Sequence, residues 1–153
     1  MDATDRKILS LLQEDATLSI ESIASKVHLS STPCWKRIRR LENDGVIEKR
    51  VALLNPDKVG VGVTVFVAVK TNQHNRKWLD NFASSVEDMP EILDFYRMSG
   101  EIDYLLRVVV PDIAAFDTFY QQLISRVPLS DVTSSFAMEQ IKHTTALPIT
   151  NPE

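Results

Sequence analysis

Along the first third of the chain, apolar residues recur at intervals of three and four. Ile8, Leu11 and Leu12, with Leu9 beside them, set one face of a helix over residues 4–14. Asp5 falls in its first turn, where the positive end of the helix dipole favours an acid. Ile20, Ile23, Ala24 and Val27 mark a second helix, with Ser19 as its cap. The stretch "HLS" turns the chain, and a third helix begins near Ser31. Pro33 suits its first turn, and Gly45 is placed to end it in a left-handed conformation. Two short helices, a tight turn and a third, basic helix make a helix-turn-helix pattern. "VIEKRVALLN" then has strand character, as a wing hairpin or a linker strand. "NPDKVG", Asn55 to Gly60, is turn chemistry and a domain boundary.

The second half alternates instead. Val61, Val63, Val65, Val67 and Val69 share one face of a strand, while Phe66 and Ala68 make the other face partly apolar, as in a sheet covered on both sides. Trp78, Leu79, Phe82 and Val86 line a helix over 75–86. Strands are predicted over 92–99 and 104–110, joined by the turn "SGEID". Asp112 caps a helix whose face carries Phe116, Phe119, Tyr120, Leu123 and Val127. A last strand runs from Val132 to about Met138, or on to Leu147. The order β-α-β-β-α-β is the split, ferredoxin-like arrangement. The fold class is therefore α+β.

Charge changes the picture of the first half. The 153 residues carry a net charge of −4, which argues against a simple polyanion binder. Residues 1–60 are nevertheless net +1, residues 61–153 net −5, and residues 31–50 net +3. Positive charge is concentrated on the third helix and just beyond it. At 100° per residue, Cys34, Ile38 and Leu41 form its buried stripe. Thr32, Lys36, Arg39, Arg40 and Asn43 lie opposite, with Arg37 and Trp35 on the flanks. A solvated face is the plain alternative. Against it, the bases sit near the amino end, opposing the helix dipole, and the acids Glu42 and Asp44 come last. That order has no evident structural return, whereas phosphate binding supplies one. Ser30, Ser31 and Thr32 add hydroxyls at the helix start, where recognition helices meet bases and phosphates.

Other chemistry is sparse. The single cysteine fits a reducing compartment and reads as core filler, with a thiol made reactive by Lys36 and Arg37 as the alternative. His28, His74 and His143 have no metal-ligand spacing with it, so no metal is expected. No nucleophile motif or phosphate loop points to an enzyme. The amino-terminal stretch has no secretion pattern, and the apolar run near Val61–Val69 is too short to span a membrane. A cytoplasmic protein without a membrane partner is expected. In the "SGEIDYLL" turn, Gly100 and nearby amides could take an anion and Asp103 an ammonium, the two groups of an amino acid. A turn that merely closes a hairpin is the alternative.

The stretches "DATDRKILSLLQEDATLSIESIASKVHLSSTPCWKRIRRLENDGVI", "MSGEIDYLLRVVVPDIAAF" and "SDVTSSFAMEQIKHTTALP" closely resemble the Lrp/AsnC (leucine-responsive/asparagine-responsive, feast/famine) regulators, over about residues 2–148. The resemblance implies a winged helix-turn-helix over 1–54, a linker over 55–60, and an amino-acid-sensing, oligomerising ACT/RAM-type domain over 61–153. It implies a homodimer, often four dimers in a ring as an octamer, on pseudo-palindromic double-stranded DNA. A small amino acid bound between sensing domains would shift assembly or DNA affinity; no other cofactor is implied. Its effector loop falls on Gly100 and Asp103, with Arg97, Met98 and Ser99 just before. Ser134, Ser135, Phe136 and Ala137 match the strand that completes the pocket from a neighbouring subunit. The chain has "VPLSDV" where the family often carries Pro-Gly, and Arg97 where a leucine binder would offer an apolar side chain. "TPCWKRIRRLE" and "DVTSSFAMEQIK" are similar to an enterobacterial branch responding to cysteine, so cysteine and leucine are the effector candidates. The expected DNA residues are Ser30, Ser31, Thr32, Lys36, Arg37, Arg39 and Arg40, with Lys49 and Arg50 on backbone phosphates. A sequence-independent architectural DNA binder, or a regulatory domain of an enzyme system, are the competing readings.

Overall fold

Asp2 starts the first helix, α1 (Ala3–Glu14), through a reciprocal capping box with Asp5. The Asp5 amide donates to the Asp2 carboxylate at 2.8 Å, and the Asp2 amide donates to that of Asp5 at 3.0 Å. Helix α2 (Ile20–Lys26) follows, with the Ser19 hydroxyl accepting from the Ser22 amide. After the turn comes α3 (Ser31–Asn43). It ends in a Schellman motif: the Gly45 amide donates to the Glu42 carbonyl and the Val46 amide to that of Leu41. Gly45 takes φ +71° there, as the sequence suggests. Ile8, Leu12, Ile23, Ala24, Val27, Cys34 and Ile38 are buried together among the three helices.

The computed structural model describes residues 1–149, and these divide into two compact units. The first holds Met1–Leu53 with the segment from Ile141 on, and the second holds Leu54–Gln140. The expected division kept 61–153 together; its last four residues, 150–153, lie outside the described ones. Within the first unit, the Gln13 carboxamide donates to the Leu147 carbonyl and accepts from its amide, at 2.8 and 2.9 Å.

The strand expected over "VIEKRVALLN" does not form. The segment is irregular, Ile47 packs against the helical core, and Val51, Leu53 and Leu54 are exposed. A strand is held by a ladder partner, and the described residues offer none here.

In the second unit β1 (Val63–Lys70), α4 (Arg76–Val86), β2 (Ile92–Arg97), β3 (Tyr104–Val110), α5 (Ile113–Arg126) and β4 (Asp131–Phe136) follow the predicted order. The antiparallel sheet runs β2-β3-β1-β4. Three ends differ from expectation: β1 begins at Val63 and leaves Val61 outside it, β2 stops at Arg97 rather than Ser99, and β4 at Phe136 rather than Met138 or Leu147. β4 ends where its partner does, since Phe136 pairs with Val65 near the start of β1. Asn75 and Asp112 cap the two helices by accepting from the Trp78 and Ala115 amides. The VPLSDV turn is closed without glycine, by the Ser130 hydroxyl donating to the Lys70 carbonyl at 2.9 Å.

Val65, Val67 and Val69 of β1 and Leu106 and Val108 of β3 are fully buried with Phe82 and Phe119 of the helices. The opposite face, expected to be covered, carries no layer among the described residues. Phe66 and Tyr96 are exposed there, and an Arg107–Asp94 ion pair joins β3 to β2.

Candidate DNA-recognition face and effector site

Cys34, Ile38 and Leu41 are buried, which fixes the roll of α3. Its outer face then presents Thr32, Lys36, Arg39 and Arg40 to solvent, with Ser31 and Arg37 half-buried. Ser30 stands at the N-cap but makes no capping hydrogen bond with its side chain. The start of the helix therefore keeps amides without a side-chain acceptor.

The cations are not equivalent. Arg37 donates to Asp2 at 2.6 Å and to Asp5 at 2.7 Å, and Arg40 donates to the other oxygen of Asp5 at 2.6 Å. Asp5 itself is only 1% exposed. Two of the bases placed against the dipole thus do have a structural return, which the isolated helix could not reveal. The sequence reading missed Asp2 and Asp5 as partners. Their D-x-x-D spacing signals a capping box, but the arginines lie more than thirty positions away. Arg39 pairs with Glu42 at 2.9 Å, and Arg50 with the other oxygen of Glu42 at 3.1 Å. Such exposed pairs are worth roughly 0–1 kcal/mol and yield readily to a phosphate. Lys36 and Lys49 are exposed and have no ion-pair partner among the described residues.

Burial pushes the Cys34 thiol above its ordinary pKa, and the neighbouring Arg37 charge only partly offsets this. The thiol therefore stays protonated in a packed core, as expected of filler. Trp35, which the sequence left open between packing and solvent, is half exposed and outside that core. The Asp5 amide and Arg37 hold the Asp2 carboxyl down at about 2. Burial raises that of Asp5, but the Asp2 amide and the Arg37 guanidinium outweigh it and leave the value lowered.

In the second unit, Met98 to Asp103 form the β2–β3 turn, closed by the Met98 amide donating to the Asp103 carbonyl at 2.8 Å. Gly100 takes φ +126°, which favours glycine, and Ser99 and Gly100 are exposed. Asp103 is less free than its sequence suggests. One carboxylate oxygen accepts from the Thr71 amide at 2.8 Å, and the other faces His74 at 3.7 Å. Arg97 and Met98 are exposed at the end of β2. Ser134, Ser135 and Phe136 lie in β4, paired with Val67, Phe66 and Val65, and Ala137 follows, its amide donating to the Thr64 carbonyl.

The structure does not bring these two groups together. Arg97 pairs with Tyr104, Tyr104 with Val69, and Val69 with Val132. Arg97, on the edge strand β2, is thus three strand spacings or roughly 14 Å from β4. Asp103, whose amide donates to the Val69 carbonyl of β1, is two spacings away, with Ser134 to Phe136 further along beside Val67 to Val65. Two cavities of the second unit, each about 420 Å³, are lined by none of the expected effector residues. One lies between Ala83, Ser84 and Val86 of α4 and Ile92 to Phe95 of β2, the other between Trp78, Phe82 and Ser85 of α4 and Arg126 to Pro128.

A helix-turn-helix with a cation-bearing third helix, followed by a βαββαβ unit, defines the class of DNA-binding regulator with a ligand domain. The family profile described as winged helix-turn-helix DNA-binding matches residues 1–48, and that of the Lrp/AsnC ligand binding domain matches residues 64–147. The chain is 56% identical over 150 residues to the DNA-binding transcriptional activator DecR of Escherichia coli (strain K12), covering 97% of this chain and 99% of that one. It superposes on an AsnC family transcriptional regulator from Agrobacterium tumefaciens with a TM-score of 0.93, 59% identity and 97% of each chain covered. A Neisseria meningitidis transcriptional regulator in complex with L-Met gives a TM-score of 0.91 at 38% identity, over 97% of this chain and 96% of that one. The protein belongs to the Lrp/AsnC family and is a DNA-binding transcriptional regulator with an amino-acid-binding domain.

Carboxyls held below their ordinary value stabilise the fold above that value, and the contribution is lost as pH falls through the lowered one. Asp2, moved from 3.8 to about 2, acts in that window. Asp2→Asn is expected to flatten the fall of the melting temperature between these two pH values. An unchanged slope would remove Asp2 from the clamp.

Proposed function

We propose that α3 enters the major groove of a two-fold operator, with Ser30, Ser31, Thr32, Lys36 and Arg39 at the DNA, Arg37 and Arg40 on the shoulder of the helix, and Lys49 and Arg50 on flanking phosphates. The observation carrying this is the roll of α3: its buried stripe leaves the Lys36–Arg39 face in water, on a helix whose start lacks a side-chain cap. Residues 1–54 are the DNA-binding domain, 55–60 the linker, and the remainder the sensing and oligomerisation domain. The protein acts in the cytoplasm, where its DNA partner lies.

The effector is a small amino acid, and its site is completed between copies of the chain. Supporting this, Arg97 stands on the β2 edge of the sheet and Ser134 to Phe136 on the β4 edge. The apolar, uncovered sheet face with Phe66 and Tyr96 supports self-association as a homodimer, and further as an octamer. Cysteine and leucine are the first candidates, and the L-Met complex of the Neisseria relative adds methionine. Binding would shift assembly or DNA affinity.

Arg39→Ala should weaken binding to an operator selected from random sequence by about 1–3 kcal/mol if Arg39 reads a base edge, and relax preference at that position. Equal loss on selected and random duplexes would make it a phosphate contact instead. In a thermal-shift screen of the twenty amino acids, one or a few should raise the melting temperature, because selective binding stabilises the native state. No shift at millimolar concentration with any of them would overturn the sensing assignment.

A further inference from the structure

The third helix carries two sets of cations, and the structure treats them differently. On a 100° wheel, Arg37 and Arg40 sit about 60° and 120° to one side of Cys34, whereas Lys36 and Arg39 lie roughly 140–160° from it. Being three residues apart, Arg37 and Arg40 stack on one shoulder of the helix and reach the same carboxylate from successive turns. That carboxylate belongs to Asp5, on α1. Its two oxygens accept from Arg37 and Arg40, and one also takes the Asp2 amide. Asp5 is 1% exposed, so a lost partner would leave a desolvated charge behind. The contact is therefore held firmly, unlike the exposed Arg39–Glu42 pair.

We propose that Asp5 is a positioning residue for DNA recognition: it pins Arg37 and Arg40 to α1, withholds Arg40 from the DNA, and leaves Lys36 and Arg39 as the cations of α3 that meet it. This rests on α3 being the recognition helix. Asp5 thereby does two jobs. It fixes the roll of α3 against α1 through two charged hydrogen bonds, and it limits the cations offered to phosphate. Fixing the roll is what favours specificity, because base contacts discriminate only when aimed, while phosphate contacts strengthen binding to every sequence alike. Asp2 shares Arg37 but not Arg40, so Arg40 is the cation that Asp5 alone withholds among the described ion pairs.

The test uses the full chain, an operator selected from random sequence by the parent protein, and a random duplex of the same length. Asp5→Asn keeps the shape and removes the charge. It should tighten binding to the random duplex and steepen the dependence of log affinity on log salt by roughly 0.9 for each subunit bound, the effect of one further phosphate contact. With the roll of α3 no longer fixed by Asp5, one base contact is displaced, and the preference for the operator should fall about tenfold. A role confined to stability would leave the salt slope alone. The double variant Asp5→Asn/Arg40→Gln should return the slope to the parent value, and failure of that reversal would overturn the proposal. If Asp5→Asn does not fold, Arg40→Gln in the parent decides. It should leave both the salt slope and the operator preference unchanged, whereas a tenfold loss of preference would make Arg40 a reader and sink the proposal. If the parent itself binds operator and random duplex equally, the recognition-helix assignment fails first; if it discriminates but Asp5→Asn leaves its slope unchanged, only the role of Asp5 fails.

Discussion

Strand β1 is paired along both sides, with β3 on one and β4 on the other, and the second unit is arranged around that pairing. Its alternate valines, Val65, Val67 and Val69, are fully buried under the two helices. A shift of one residue would turn all of them to the uncovered face, so the register is strongly held. The same pairing makes β2 and β4 the two edges. It therefore separates Arg97 on β2 from Ser134 to Phe136 on β4 by three strand spacings. The face away from the helices is half apolar and exposes Phe66 and Tyr96.

In the first unit the matching constraint is electrostatic. Hydrophobic burial of Cys34, Ile38 and Leu41 seats α3, but three side chains on a narrow stripe leave its roll soft. The buried Asp5 carboxylate, gripped from two successive turns, removes that freedom. One carboxylate thus closes the capping box of α1 and orients the helix that carries the exposed Lys36 and Arg39. The net charge of −4 therefore hides a local concentration of cations on one helix, two of them tied to a buried acid.

Much of this was legible in the chain. The three- and four-residue spacing of Ile8, Leu12, Ile23, Ala24 and Val27 specifies the helices, and the alternating valines specify β1. The Schellman end at Gly45 and the caps at Ser19 and Asp112 follow from local chemistry alone. Pairings distant in sequence were hidden. A wheel cannot show that Arg40 meets Asp5, since only the fold brings α1 beside α3. Nor can residue type show that an Asp103 oxygen is taken by the Thr71 amide. The segment after Gly45 misled because β-branched residues give strand propensity, whereas a strand exists only where a ladder partner does. Gly100 and Asp103 were legible in the turn as groups that could meet an amino acid, whereas Ser134 to Ala137 came from resemblance, because nothing in the local sequence of β4 ties it to that turn.

The account turns on a site shared between copies, and complementation measures that directly. Two variants would be prepared, Gly100→Val in the turn and Ala137→Arg after β4, each expected to lose the response to the amino acid found by screening. Refolded together as a one-to-one mixture, they should recover roughly a quarter of the parent's binding capacity, because half of randomly paired dimers hold one intact site of two. Recovery of none, with mixed dimers present, would place the site within a single chain and contradict the account.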